Sequence, residues 1–405
     1  MVKIFKSLLL AILLAIFSYL SIVFIWESHA KQPTLQENKP ATSSPASSLA
    51  MSDSTPQVNS QRLLKFLSDI NYERYHPQQR QRVRNYLKQK LRDFGWSPQQ
   101  QVFDKPDRQA QDKGVNIWAQ QPGSHPEAEK IIVAAHYDTV AGSPGADDNG
   151  SGVATVLEVA RLFGQRQTDV FRGRHRGTAP TVVDSTRRSL QVVFFDAEEQ
   201  GMLGSLAFTD VAAHRQNVRA VLVLEMIGFA CHTPGCQTYP QGLPIEPPSN
   251  RGDFLAVVGD SQHPSLLQAF QQIAGSDAFR GRHRGTAPTV VDSTSLPSVE
   301  TLAVPMKGAF FPAALRSDHA PFWWHDIPAV MVTDTANFRN PHYHQPSDTV
   351  ETIDQEFLTG AAQIVVNTAT RLLENGEKKQ GATREHRAQR VAPLLRNKNL
   401  SFQSF

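Results

Sequence analysis

Apolar positions follow three regimes along the chain. From Ser7 to Trp26 they form a nearly unbroken run, with Lys3 and Lys6 in front of it. Over 61–72 and 79–94 they recur at helical spacing, which predicts two helices, the second stopped by Gly95. Beyond that, short apolar runs alternate with longer periodic segments. The runs predict strands at 114–119, 130–135, 190–196, 219–225, 253–258, 299–304 and 328–333. The periodic segments predict helices at 150–163, 201–213, 263–274 and 355–374. Strands separated by helices need a sheet covered on both faces, so the expected fold is a three-layer α/β domain. In such folds a site lies beyond the carboxyl ends of the strands.

The flanks of this region read differently. The Ser7–Trp26 run is apolar on every helical face and about long enough to span a bilayer. Its positive end is expected to stay in the cytoplasm, so the rest of the chain is exported. Two outcomes stay open: residues 1–30 are kept as a single membrane anchor, or they are a signal cut after Ala30, where Ser28 and Ala30 form a small-x-small pair. Residues 31–60, rich in Ser, Pro, Thr and Gln, are a flexible linker. The folded domain is expected over 61–375, followed by a basic disordered tail over 376–405. The sixteen residues FRGRHRGTAPTVVDST occur twice without a change, at Phe171–Thr186 and Phe279–Thr294. A structural repeat diverges and carries an apolar period; this one does neither, so both copies read as insertions in surface loops.

Charge narrows the partners. The chain carries +3 overall, with +5 in the tail, +2 in each repeat copy and +1 in residues 1–60, which leaves −7 for the remaining core. An acidic core argues against a nucleic-acid partner and suits a site that collects cations. The two cysteines, Cys231 and Cys236, lie in CHTPGC. Export permits a disulfide between them; a metal pair is the rival, but no second pair completes a structural zinc site.

Candidate chemistry gathers at predicted strand ends. IIVAAHYDTV places His136 and Asp138 just past a strand, two residues apart and so on one side of an extended chain. SPGADDNGSG sets Asp147, Asp148 and Asn149 before a helix start, among glycines that let the backbone come close. LQVVFFDAEE runs a strand into Asp196, Glu198 and Glu199, and AVLVLEMIGF ends a strongly apolar strand at Glu225. A carboxylate there is costly unless it is paired or holds a metal. The last stretch supplies Asp318 and His319, then His342, His344 and Asp348, the final pair in an HxxxDT pattern. Histidines with carboxylates suit hard or borderline metals. Two divalent ions about 3.5–4 Å apart need a bridging carboxylate, which an Asp in a glycine-rich turn can provide.

The ordered set HxD, GADDN, DAEE, a strand-end acid, SDH and HxxxDT resembles the co-catalytic di-zinc aminopeptidases of the bacterial leucyl aminopeptidase type, over roughly residues 115–375. The resemblance implies the zinc-dependent exopeptidase fold, an α/β/α sandwich around a mixed, mostly parallel sheet. It implies two zinc ions per chain, one held by His136, Asp148 and Glu225, the other by Asp148, Glu199 and His344. It makes Glu198 the general base and Asp138 the acid that orients His136. Glu225 stands where many members have Asp, and neither repeat copy has a family counterpart. CHTPGCQTYPQGLP is expected to form a rim loop over the site. Asp318 and His319 are candidates for a supporting or transition-state role, His319 at the oxyanion.

The expected activity is therefore removal of N-terminal residues from peptides by an exported metallo-aminopeptidase. Three rivals stand beside it: a single-zinc glutaminyl cyclase, a receptor-like binding domain of the same fold without metals, and a carboxypeptidase of the same superfamily.

Overall fold

The computed structural model describes residues 55–106, 112–171, 188–243, 245–275 and 296–374. The anchor or signal over 1–30, most of the linker, nearly all of both repeat copies and the basic tail lie outside the described residues. Among the described residues, no helix is long and apolar enough to cross a membrane.

Helices α1 (Ser60–Asp69) and α2 (Pro77–Asp93) open the domain. The Asn59 side chain accepts the Arg62 N–H and caps α1, whose Leu63, Phe66 and Leu67 form one buried stripe. Gly95, at φ 84°, ends α2 in the left-handed region, as the sequence predicts. The domain starts slightly before residue 61. The Gln363 side chain accepts from Val58 N and donates to Pro56 O, fastening the end of the expected linker to the domain.

Eight strands form one sheet: β1 (Gln99–Phe103), β2 (Gly114–Gln121), β3 (Lys130–His136), β4 (Ser189–Phe195), β5 (Val218–Glu225), β6 (Phe254–Asp260), β7 (Ser298–Val304) and β8 (Ala329–Thr333), in the order β1-β2-β4-β3-β5-β8-β6-β7. β4, β3, β5 and β8 are mutually parallel; β2 is antiparallel to β4, and β6 to β8. Every residue of β3 and β4 is buried. Alternation then sends Ile131, Val133 and Ala135 to one face and Ile132 and Ala134 to the other. The first face packs on α1, α2, α3 (Gly152–Phe171), α6 (Pro264–Gly275) and α8 (Gln355–Glu374). The second packs on Phe208 of α4 (Leu203–Asp210) and Phe322 and Trp323 of α7 (Ala320–Trp324). A short α5 (Ala212–Arg215) follows α4. The helix expected over 201–213 thus divides at Val211, whose backbone is extended. The parallel strands bring the ends of β3, β4, β5 and β8 to one edge of the sheet.

Candidate metal centre

His136 is the last residue of β3 and Glu225 the last of β5. Past β3 the chain crosses to the turn Ala146–Ser151. That crossing is pinned by Arg74, which is fully buried and donates to five carbonyls: Tyr137, Ile70, Tyr72, Pro144 and Gly145. Gly145 is required here: at φ 59°, a Cβ would lie 2.2 Å from the Asp148 carbonyl oxygen. The backbone amides of Asp147 and Asp148 donate to the two oxygens of Asp348 at 2.9 and 3.1 Å, and the Asn149 side-chain Nδ2 donates to Leu224 O. The turn is thereby fixed to the end of β5, with the Asp148–Asn149 peptide cis. The two acids diverge. Asp147 is engaged by Gly228 N and the Asn340 amide, each at 2.8 Å, while Asp148 faces the histidines.

After β4, Asp196 turns inward to Arg84 and the Val115 amide. Ala197, at φ 58°, reverses the chain and delivers Glu198 and Glu199. Asp138 accepts the N–H of Glu198 at 3.1 Å and of Glu199 at 3.3 Å, and its Oδ1 lies 3.6 Å from His136 Nδ1. One carboxylate therefore positions three members of the cluster.

Two groups of potential ligand atoms result, each within 4.8 Å: His136 with Asp148 and Glu225, and Asp148 with Glu199 and His344. His136 Nε2 lies 3.4 Å from Asp148 Oδ1 and 3.5 Å from Glu225 Oε1. His344 Nε2 lies 3.2 Å from Asp148 Oδ2 and 3.0 Å from Glu199 Oε2. Asp148 thus offers a different oxygen to each group. These are the two sets that the resemblance implies, brought together from five separate segments.

The electrostatics fit a bound cation. Glu199 Oε1 is buried without a hydrogen-bond partner. Burial and the Asp148 charge push the Glu199 carboxyl up to about 7. Burial likewise drives Glu198 well above the carboxylate range; His136 offsets this in part, while Glu225, Asp318 and Glu199 add to it. Burial draws the His136 imidazole down, yet Glu225 and hydrogen bonds to Asp138, Asp148 and Glu225 carry it well up. For His344 the same opposition, resolved by Asp148 and Glu199, ends at about 10. Carboxylates crowded with imidazoles are a cation-accepting set of nitrogen and oxygen donors.

Asp318 is fully buried, and burial pushes its carboxyl up to about 7, with His136 and the Ser205 hydroxyl pulling it down and Glu225 and Asp138 raising it. It belongs beside the cluster, not in either ligand group. The oxyanion role expected of His319 does not fit. Its ring is fully buried edge-on to Trp323, Nε2 is committed to Ala314 O at 2.8 Å, and burial lowers its pKa to about 4. His342 is also outside the groups, its Nδ1 on Ser347 Oγ. Sequence reasoning missed Arg74, Ser317, whose hydroxyl donates to Glu225 Oε2 at 2.6 Å, and Tyr343, whose ring stacks on His344. Arg74 acts on backbone carbonyls and Ser317 on a side chain 92 residues away, and adjacency alone does not tell that the Tyr343 and His344 rings stack, so no local pattern reports them.

Cys231 and Cys236 form a disulfide, and Cys231 pairs with Gly252 across a short bridge. The segment that follows borders a pocket of about 140 Å³ opening beside Glu225. Gln237, Thr238, Tyr239, Pro240 and Leu243 belong to its wall.

The profile of peptidase family M28 matches residues 116–369. Among curated proteins, the Escherichia coli protein YfbL is 34% identical over 252 residues, 60% of this chain and 66% of its own. The probable lipoprotein aminopeptidase LpqL of Mycobacterium tuberculosis is 30% identical over 252 residues, 61% of this chain and 43% of its own. Leucine aminopeptidase 1 of Neurospora crassa is 26% identical over 251 residues, covering 60% and 50%. The chain thus spans roughly two fifths to two thirds of these relatives' length. In fold it is similar to the Legionella pneumophila LapA aminopeptidase (TM-score 0.54, 20% identity, 79% of this chain and 73% of that one). It is equally similar to Porphyromonas gingivalis glutaminyl cyclase (TM-score 0.54, 19% identity, 78% and 98%).

Proposed function

Because the chain belongs to peptidase family M28, we propose that it is a zinc-dependent aminopeptidase that removes N-terminal residues from peptides with two metal ions. The observation that carries this reading is the pair of ligand groups sharing Asp148 through its two oxygens. His136, Asp148 and Glu225 would hold one zinc, and Asp148, Glu199 and His344 the other. When bound, zinc polarises a carbonyl oxygen and lowers the pKa of water toward neutrality. Glu198 accepts the proton of the water that attacks the scissile carbonyl and returns it to the leaving amine. Asp138 holds the His136 ring and the Glu198–Glu199 backbone in register. The acidic cluster attracts a free substrate α-ammonium, and the pocket beside Glu225 receives the side chain of the residue removed.

The Cys231–Cys236 disulfide and the apolar run behind Lys3 and Lys6 support work outside the cytoplasm, membrane-anchored or released after Ala30. The test is zinc content together with hydrolysis of aminoacyl substrates and their amino-blocked counterparts. Two zincs per chain with cleavage lost on blocking support the reading. Cleavage that persists equally after blocking removes the aminopeptidase assignment. One zinc per chain with cyclisation of N-terminal Gln replaces it by a cyclase.

A further inference from the structure

The pocket beside Glu225 runs along the sheet. Glu225 of β5 is in register with Thr333 of β8, Thr333 with Ala256 of β6, and Ala256 with Glu300 of β7. Two residues away, on the same face, Val223, Met331, Val258 and Leu302 form the next rung. Thr333, Ala256, Glu300, Met331, Val258 and Leu302 all line the pocket and form its floor. One end is therefore the proposed metal ligand Glu225, and the other is Glu300, three strand spacings or about 14 Å away between backbones. Both carboxylates project from the same face.

The pocket is mostly apolar, with Leu243, Ile245, Phe311 and Ala313 in its lining. Glu300 is half-buried, and among the described residues it has no hydrogen-bond or ion-pair partner. Arg316 also lines the pocket, but its guanidinium is held at the metal end by Asn337 Oδ1 and the Tyr343 hydroxyl. An apolar trough with a carboxylate at its far end that has no partner among the described residues complements a side chain with an apolar stem and a cationic head. Lys and Arg alone combine the two.

We infer that Glu300 is a specificity residue that selects peptides with an N-terminal Arg or Lys, by pairing with the cationic end of that side chain. The inference rests on the aminopeptidase reading for its substrate but not for its geometry. The test uses the zinc-loaded full chain and compares binding of L-argininamide and L-norleucinamide with hydrolysis of Arg-, Lys- and Leu- substrates, in the wild type, Glu300→Gln and Glu300→Lys. Glu300→Gln is expected to weaken argininamide about 10- to 100-fold, the range of a partly screened charge pair, while norleucinamide changes less than about twofold. Glu300→Lys weakens argininamide further and spares norleucinamide, which shows that the pocket still forms. Equal loss of both ligands in the two variants, or no loss of argininamide, overturns the inference. If the wild type binds argininamide through Glu300 yet cleaves no aminoacyl substrate, the activity assignment fails and the cation site stands. If Leu substrates are cleaved and Glu300→Gln leaves Arg substrates unaffected, the activity stands and the cation site fails.

Discussion

Ser317 donates its hydroxyl to Glu225 Oε2 at 2.6 Å, which leaves Oε1 as the oxygen turned toward His136. The hydroxyl thereby fixes which lone pairs Glu225 presents to a metal. Ser317→Ala should weaken zinc binding about 10- to 100-fold, the effect of removing a group that orients a ligand. Competition with a chelator of known affinity measures it, and unchanged circular dichroism separates it from unfolding.

Zinc uptake should release protons. In the metal-free protein Glu199 is held up to about 7 and His344 up to about 10, so the empty site holds protons that a metal must displace. The sign follows directly: both shifts are upward, so acid pH opposes binding. Apparent affinity should rise with pH from 6 to 9, and more steeply below 7, where Glu199 also holds its proton. Calorimetry in buffers of different ionisation enthalpy counts the protons; affinity independent of pH would contradict these assignments.

Arg74 should be a stability hot spot with a metal phenotype. Arg74→Met keeps the stem but leaves five carbonyls without their shared, fully buried donor. The cost should be of order 3 kcal/mol or more. Thermal unfolding in the presence of a chelator isolates this loss from that of bound zinc, and a Tm within a degree or two of wild type would refute it.

Legibility in the sequence depended on where each residue's partners lie. β3, β4 and β5 could be read because strands buried on both faces are continuous apolar runs. β1, with sequence QQQVF, could not: it is a half-exposed edge strand that exists by pairing with β2, and three glutamines carry no alternation. His136 and Glu225 were visible because polar residues closing apolar strands are conspicuous. That Asp148 rather than Asp147 faces the histidines is decided by Gly228 and Asn340, far along the chain, and needed the family resemblance to be anticipated. The SDH stretch leaves His319 open between an oxyanion role and a structural turn, and only packing shows its ring edge-on to Trp323 with Nε2 on Ala314 O.

In the proposed mechanism Glu198 moves the proton while its neighbour Glu199 holds metal, and metal analysis paired with kinetics on two variants separates these roles. Glu198→Gln should retain two zincs per chain and lose about 10²–10⁴-fold in turnover, the range for a lost acid–base group. Glu199→Gln should lose zinc and activity together. Loss of zinc from Glu198→Gln, with both zincs kept by Glu199→Gln, would reverse the two roles and contradict the account.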